Sequence, residues 1–239
     1  MKLSNRACAL LSPIIHQIKT HPFNLELGMG SLCRDRFAYY IEQDMHYLKN
    51  FSNCHAIIAA KAPTPYKHSF FHYADKEFIE EQAHVHAFFQ QHFNLRKTKQ
   101  TTPATIGYTN YLLRTVSREP FEIAVAAALP CFWIYKEVGL SISQCSKSDN
   151  PYARWIEAYS RPEFGNSTNE MISIFDEVSL RTTEAVREKM LNAFHTSTKW
   201  EWHFWNDAYQ QTVFNRYQHN LSDIQGQLET TSKSGMVHG

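Results

Sequence analysis

Apolar residues recur three and four positions apart along most of the chain, and few stretches alternate strictly, so the pattern predicts helices. A first helix covers 4–19, with Pro13 placed to bend it. The segment HPFNLELGMG reads as a loop. Ser31 is placed to cap a long helix to about Ala62, and the two prolines of KAPTPYKHS end it. Asp75 is placed to cap a helix to about Phe93, followed by the polar loop LRKTKQTTP. Further helices are expected at 104–117 and 120–144. Asn150-Pro151 reads as a cap with proline at the first helical position. Ser167 to Glu170 reads as a capping box. Thr182 or Thr183, with Glu184 in the first turn, opens a last helix to about Asn220. No repeat or long linker divides the pattern. The expectation is one all-α helical domain over 1–222 and a frayed polar tail over 223–239.

The chain's 239 residues suit one large domain. With 43% hydrophobic and 20% charged residues, wholesale disorder is excluded. Balanced charge, 24 Lys+Arg against 23 Asp+Glu, gives no global argument for nucleic acid or an anionic membrane. The apolar run Ile123–Tyr135 is 13 residues and contains Pro130. A bilayer span needs roughly 20, so none is expected. Polar residues enter the first segment too early for the apolar core of a signal peptide. The cysteines, Cys8, Cys33, Cys54, Cys131 and Cys145, are odd in number, widely spaced and without a CxxC. Free thiols in a reducing cytoplasm fit that usage. The chain has 8 Gly but 16 Phe, 12 Tyr and 5 Trp, which supplies large apolar faces with polar tips. Exposed-looking Trp133 and Trp205 fit an interface as readily as a core.

Two carboxylates fall on apolar stripes. At about 100° per residue, Phe37, Ile41, Leu48, Phe51 and Ile58 share a face, and Asp44 lies in its middle. Phe194, Thr198, Trp205, Ala208 and Thr212 share another, with Glu201 at its centre. A buried carboxylate needs partners or a polar cavity. Desolvation would raise the Glu201 pKa toward neutrality, which suits a general acid/base. Each residue also has the plain reading of a structural buried pair. Cys131 follows Pro130 on a face with Ala127, Ile134 and Val138, one turn from Tyr135. It is a small core residue or a nucleophile, and in the second case its proton acceptor must come from another helix.

Metal ligation is the rival use of such residues. Helical di-metal sites draw on paired Glu-x-x-His motifs, and the chain has one half-motif, Glu81 with His84. His84 and His86 diverge by about 200° on a helix and would not share one site. No metal or cofactor is expected.

The segments FAYYIEQDMHYL (37–48), GYTNY (107–111), LPCFWIYKEVG (129–139), YARWIEAY (152–159) and EWHFWNDAY (201–209) resemble the TenA / thiaminase II family, in family order over nearly the whole chain. The resemblance implies an all-α, haem-oxygenase-like helical bundle that assembles as a homotetramer. It implies hydrolysis of the exocyclic C–N bond of an aminopyrimidine: aminomethylpyrimidine from degraded thiamine, or thiamine itself. The product would be hydroxymethylpyrimidine for thiamine salvage. Cys131 matches the nucleophile of the family's cysteine-type branch, and Glu201 the acid/base. Asp44 matches the carboxylate that binds the ring's amino edge. Tyr108, Tyr135 and Tyr159 match pocket hydroxyls, and Tyr47 and Phe204 match aromatic walls. His86 matches a pocket histidine, with His84 as the competing choice. The chain departs from the family pattern at Ser160-Arg161-Pro162-Glu163, where a Gly-Gly-Asp-type turn is frequent, and at Lys199-Trp200, where a Tyr pair is frequent. Those departures bear on the preferred substrate. The alternatives are a non-catalytic regulatory or binding protein and a metal-dependent oxidase on the same fold. The first lacks a basic stripe or helix-turn-helix for DNA, and the second lacks a second Glu-x-x-His.

Overall fold

The computed structural model describes residues 2–75, 85–93 and 101–212, which form helices joined by short turns, with no strand among them. The helices are α1 (Leu3–Lys19), α2 (Pro22–Met29), α3 (Arg34–Lys61) and α4 (Thr64–Ala74). Residues 85–92 form α5. Then come α6 (Pro103–Arg118), α7 (Phe121–Ser143), α8 (Ala153–Ser160), α9 (Pro162–Leu180) and α10 (Glu184–Gln210). The all-α expectation holds.

The bundle is organised around α7, which packs against α10, α9, α8 and α6. Every residue from Ile123 to Pro130 is buried. The helix runs on through Pro130 and is 23 residues long, against the 13 of the apolar run Ile123–Tyr135. By length and composition α7 could cross a bilayer, yet 72% of its most apolar window is buried inside the protein. It is the central core helix, and its first half, Ile123 to Pro130, is apolar all round because neighbours surround it. Trp205 is fully buried and stacks on Tyr40, with centroids 5.1 Å apart and planes within 6°. Trp133 is half-buried with its edge on Phe194.

Several predicted boundaries move, each for a local reason. The expected loop after residue 19 contains α2. His21 caps it by accepting from Phe23 N–H, Pro22 sits in the first turn, and Gly30 closes it at φ 73°. That is the proline-first, glycine-last arrangement of a helix. The prolines of KAPTPYKHS do end α3, but they also start α4: Pro63 is its N-cap and Pro65 lies in its first turn, where a missing N–H costs nothing. Asp75 is the C-cap of α4, and the start of the helix it was expected to cap lies outside the described residues. Cys33, not Ser31, precedes α3, and the Ser31 hydroxyl donates back to the Glu26 carbonyl. Asn150 does act as a cap, through its Oδ1 on Tyr152 N–H, but α8 starts at Ala153 and Pro151 stays in the turn. Ser167 and Glu170 are interior to α9, where Ser167 bonds to the carbonyl of Glu163 and Glu170 accepts from Ser69 and Tyr73. Thr183 caps α10 as expected by accepting from Val186 N–H. The helix stops at Gln210, with Gln211 at φ 52°. The part predicted beyond residue 212, and the tail 223–239, lie outside the described residues. So do Glu81 and His84.

Candidate active site

The stripe read on α3 is the buried face: Phe37, Ile41, Leu48, Phe51 and Ile58 are all in the core, and Asp44 among them is 1% exposed. A carboxylate so enclosed requires a partner. His86 on α5 supplies it, with Nε2 2.9 Å from Asp44 Oδ2. His86 is itself buried.

Glu201 on α10 is likewise 1% exposed. The Tyr108 hydroxyl on α6 donates to its Oε1 at 2.8 Å. Burial pushes the Glu201 carboxyl up to about 8; the Asp44 charge adds to this and the Tyr108 bond opposes it. A carboxyl in that range can give and take protons near neutrality.

Cys131 on α7 is part-buried and reduced. Burial and then the charge of Glu201 hold its thiol well above the ordinary range, with Tyr47 opposing and Asp44 adding. The Tyr47 hydroxyl on α3 is buried and makes no ordinary hydrogen bond, while it interacts with both Cys131 and Tyr108. It is a buried hydroxyl beside the thiol. Its ring stacks on Phe51 at 5.2 Å, lies 5.0 Å from Tyr108 and meets Phe204 edge-on at 5.8 Å.

Tyr135 on α7 and Tyr159 on α8 have ring centroids 4.8 Å apart. Burial raises both phenols first, and Asp44 adds to each, so they remain hydroxyl donors. The nine predicted site residues therefore converge from six helices: Asp44 with His86, Glu201 with Tyr108, and Cys131 with Tyr47, flanked by Tyr135, Tyr159 and Phe204.

Tyr40 was not among the predicted residues. It is fully buried, donates to the Tyr135 hydroxyl at 3.3 Å and accepts from Trp155 Nε1 at 3.2 Å. It lies four residues before Asp44, on the same stripe of α3. That spacing from an inward carboxylate is the signal that could have found it.

Among the described residues, no three His, Cys, Asp or Glu side chains gather as a metal site. Of the two departures from the family pattern, Ser160-Arg161-Pro162 forms the α8–α9 junction and lines a surface cavity of about 310 Å³ with Tyr159, Lys136 and Asn169. Trp200 is half-buried and lies against Gly107 of α6.

The sequence profile of the TENA/THI-4/PQQC family matches residues 9–211. An aminopyrimidine aminohydrolase of Bacillus subtilis is 33% identical over 195 residues, covering 80% of this chain and 83% of its own. One from Helicobacter pylori is 28% identical, covering 80% and 91%. A TenA homologue from Pyrococcus furiosus superposes with a TM-score of 0.82 at 22% identity, over 87% of this chain and all of its own. A domain from Shewanella denitrificans with a haem-oxygenase-like fold superposes at 0.64 with 16% identity, over 87% of this chain and 91% of its own. The helical bundle thus has the haem-oxygenase-like fold, and the chain belongs to the TENA/THI-4/PQQC family.

Proposed function

We propose that the protein is an aminopyrimidine aminohydrolase of thiamine salvage, with Cys131 as nucleophile and Glu201 as acid/base. The observation that carries the reading is one enclosed site holding a thiol, a high-pKa carboxyl bonded to Tyr108, and a second carboxylate bonded to His86. The aminohydrolase relatives support the reaction class.

A flat aminopyrimidine suits a site walled by aromatic rings such as Tyr47 and Phe204. Asp44 takes the donor edge of the ring, with His86 holding one of its oxygens. Cys131 rests as a thiol, so its proton must leave as sulfur bonds to the ring. Glu201 in its carboxylate form accepts that proton and passes it to the departing amine, which leaves as ammonia. The C–N bond breaks, and water then attacks the exocyclic carbon. Glu201 takes the proton released by water, the C–S bond breaks, and Glu201 returns that proton to the departing Cys131 sulfur. The sum is one amine and one water converted to one alcohol and one ammonia. The phenols of Tyr135 and Tyr159 stay protonated and orient the ring nitrogens. A cytoplasmic setting keeps Cys131 reduced. The exposed apolar side chains Met29, Phe71 and Leu180 offer surface for assembly as a homotetramer.

Product analysis by mass spectrometry tests the reading. Wild type and Cys131→Ser are incubated separately with 4-amino-5-aminomethyl-2-methylpyrimidine and with thiamine. The expected result is hydroxymethylpyrimidine from wild type and none from the variant, the faster substrate naming the leaving group. No product from either substrate with folded protein overturns the reading.

A further inference from the structure

Gly107 and Trp200 immediately precede Tyr108 and Glu201, the pair joined at 2.8 Å. A Cβ at position 107 would run into the six-membered ring of the Trp200 indole, against Cη2, 2.7 Å from Cζ3 and 3.1 Å from Cζ2. The absence of a side chain is what lets the indole rest on the α6 backbone.

The contact lies within a pair of helices fastened on both sides of it. Ala104 N–H donates to Asp207 Oδ2 at 2.9 Å, and the Tyr111 hydroxyl donates to the Ala193 carbonyl at 3.2 Å. Those bonds fix how far α10 slides along α6. They leave the separation between the helices to whatever fills the middle, and side chains at a crossing set that distance. In the middle stands the Trp200 ring. Glu201 and Tyr108 meet one residue further along each helix, so the ring's thickness is transmitted to their bond.

We propose that Trp200, seated in the notch left by Gly107, is a positioning residue that sets the spacing at which the Tyr108 hydroxyl and the Glu201 carboxyl meet. It touches no substrate and acts through Glu201. The inference rests on the reading of Glu201 as acid/base, and it gives the Trp200 departure from the family pattern a role.

The test is a double-mutant cycle. Trp200→Phe removes the distal ring atoms that reach Gly107, and Gly107→Ala adds a methyl group to the same space. Each single variant is expected to lower kcat about tenfold with KM within about twofold, since small misplacements of a catalytic group are costly. The double variant refills the notch and returns kcat to within about threefold of wild type. A second readout needs no turnover: infrared titration of the protonated Glu201 carboxyl, identified by its loss in Glu201→Gln. Tyr108, Asp44, Cys131, Tyr47, Tyr40 and Tyr135 are titratable groups that interact with Glu201. The Tyr108 bond lowers its proton affinity, so the bond stretched in Gly107→Ala makes Glu201 release its proton at higher pH, and the closer approach in Trp200→Phe makes it release at lower pH.

Unchanged carboxyl titration in both singles overturns the inference. So does a double variant whose loss is the product of the single losses. If wild type hydrolyses no aminopyrimidine, the functional reading fails by itself, and the infrared titration still decides this inference. If Gly107→Ala does not fold, the titration of Trp200→Phe decides it.

Discussion

His86 Nε2 lies 2.9 Å from Asp44 Oδ2, both side chains are buried, and the two come from separate helices. Asp44 sits in the apolar stripe of α3, so the imidazole satisfies a carboxylate that water does not reach. His86→Ala leaves that acceptor unpaired, which costs about 1–3 kcal/mol. In a chain of this size each kcal/mol lowers Tm by about 2–4 °C. The expected outcome is a lower melting temperature by calorimetry and a raised KM for the aminopyrimidine. An unchanged Tm would show that Asp44 finds another partner.

Glu201 gives a pH signature with a defined sign. Its carboxyl is pushed up to about 8 in the folded protein, against about 4.5 for an ordinary glutamate. Between those values the native state holds a proton that the unfolded chain has lost, so this group's stabilising contribution falls as pH rises through the window. Glu201→Gln removes the titration. The variant is expected to gain stability relative to wild type as pH goes from 5 to 8, measured by urea denaturation at each pH. Its kcat should fall by roughly 10²–10⁴ through loss of acid/base catalysis.

The cysteines should label in an order set by burial. Cys8, Cys33 and Cys145 are exposed, Cys54 is buried and pushed up to about 12, and the Cys131 thiol is held well above the ordinary range by its enclosure. Alkylation depends on the thiolate fraction and on access. Iodoacetamide at pH 7.5 is expected to modify the three exposed thiols first and Cys131 far more slowly, read by peptide mass mapping. Rapid labelling of Cys131 would mean that the resting site holds a thiolate, and the proton transfer to Glu201 would then be unnecessary.

Asp44 and Glu201 were legible in the sequence because a carboxylate on an apolar helical stripe contradicts its neighbours. Periodicity also exposed the helical faces of α3 and α10. Tyr40 escaped because a tyrosine on such a stripe reads as ordinary core, and only its hydrogen bonds to Tyr135 and Trp155 reveal its place. Cys131 could not be singled out by pattern for the same reason; the family motifs identified it. The helices α2 and α4 are hard to see in the sequence because their prolines and glycine, Pro22, Gly30, Pro63 and Pro65, belong to segments with the look of loops, whereas they stand at helix ends, where proline and glycine are favourable. The pairings His86–Asp44 and Tyr108–Glu201 join residues 42 and 93 positions apart, and no local rule carries such information.

Gly139 ends the motif LPCFWIYKEVG, and its place in the fold explains why a side chain is excluded there. A Cβ at 139 would meet the Tyr159 backbone, 2.6 Å from both its carbonyl carbon and its oxygen. Backbone cannot rotate away, so α8 as a whole must shift from α7. Overpacking of this kind costs typically about 1–3 kcal/mol. The shift would also carry the Tyr159 ring away from Tyr135, now 4.8 Å distant. Gly139→Ala is therefore expected to lower the urea midpoint and, in the protein that remains folded, to raise KM more than it lowers kcat, because Tyr159 orients the ring without moving protons. A variant with wild-type stability and kinetics would show that the α7–α8 contact is more yielding than its geometry implies.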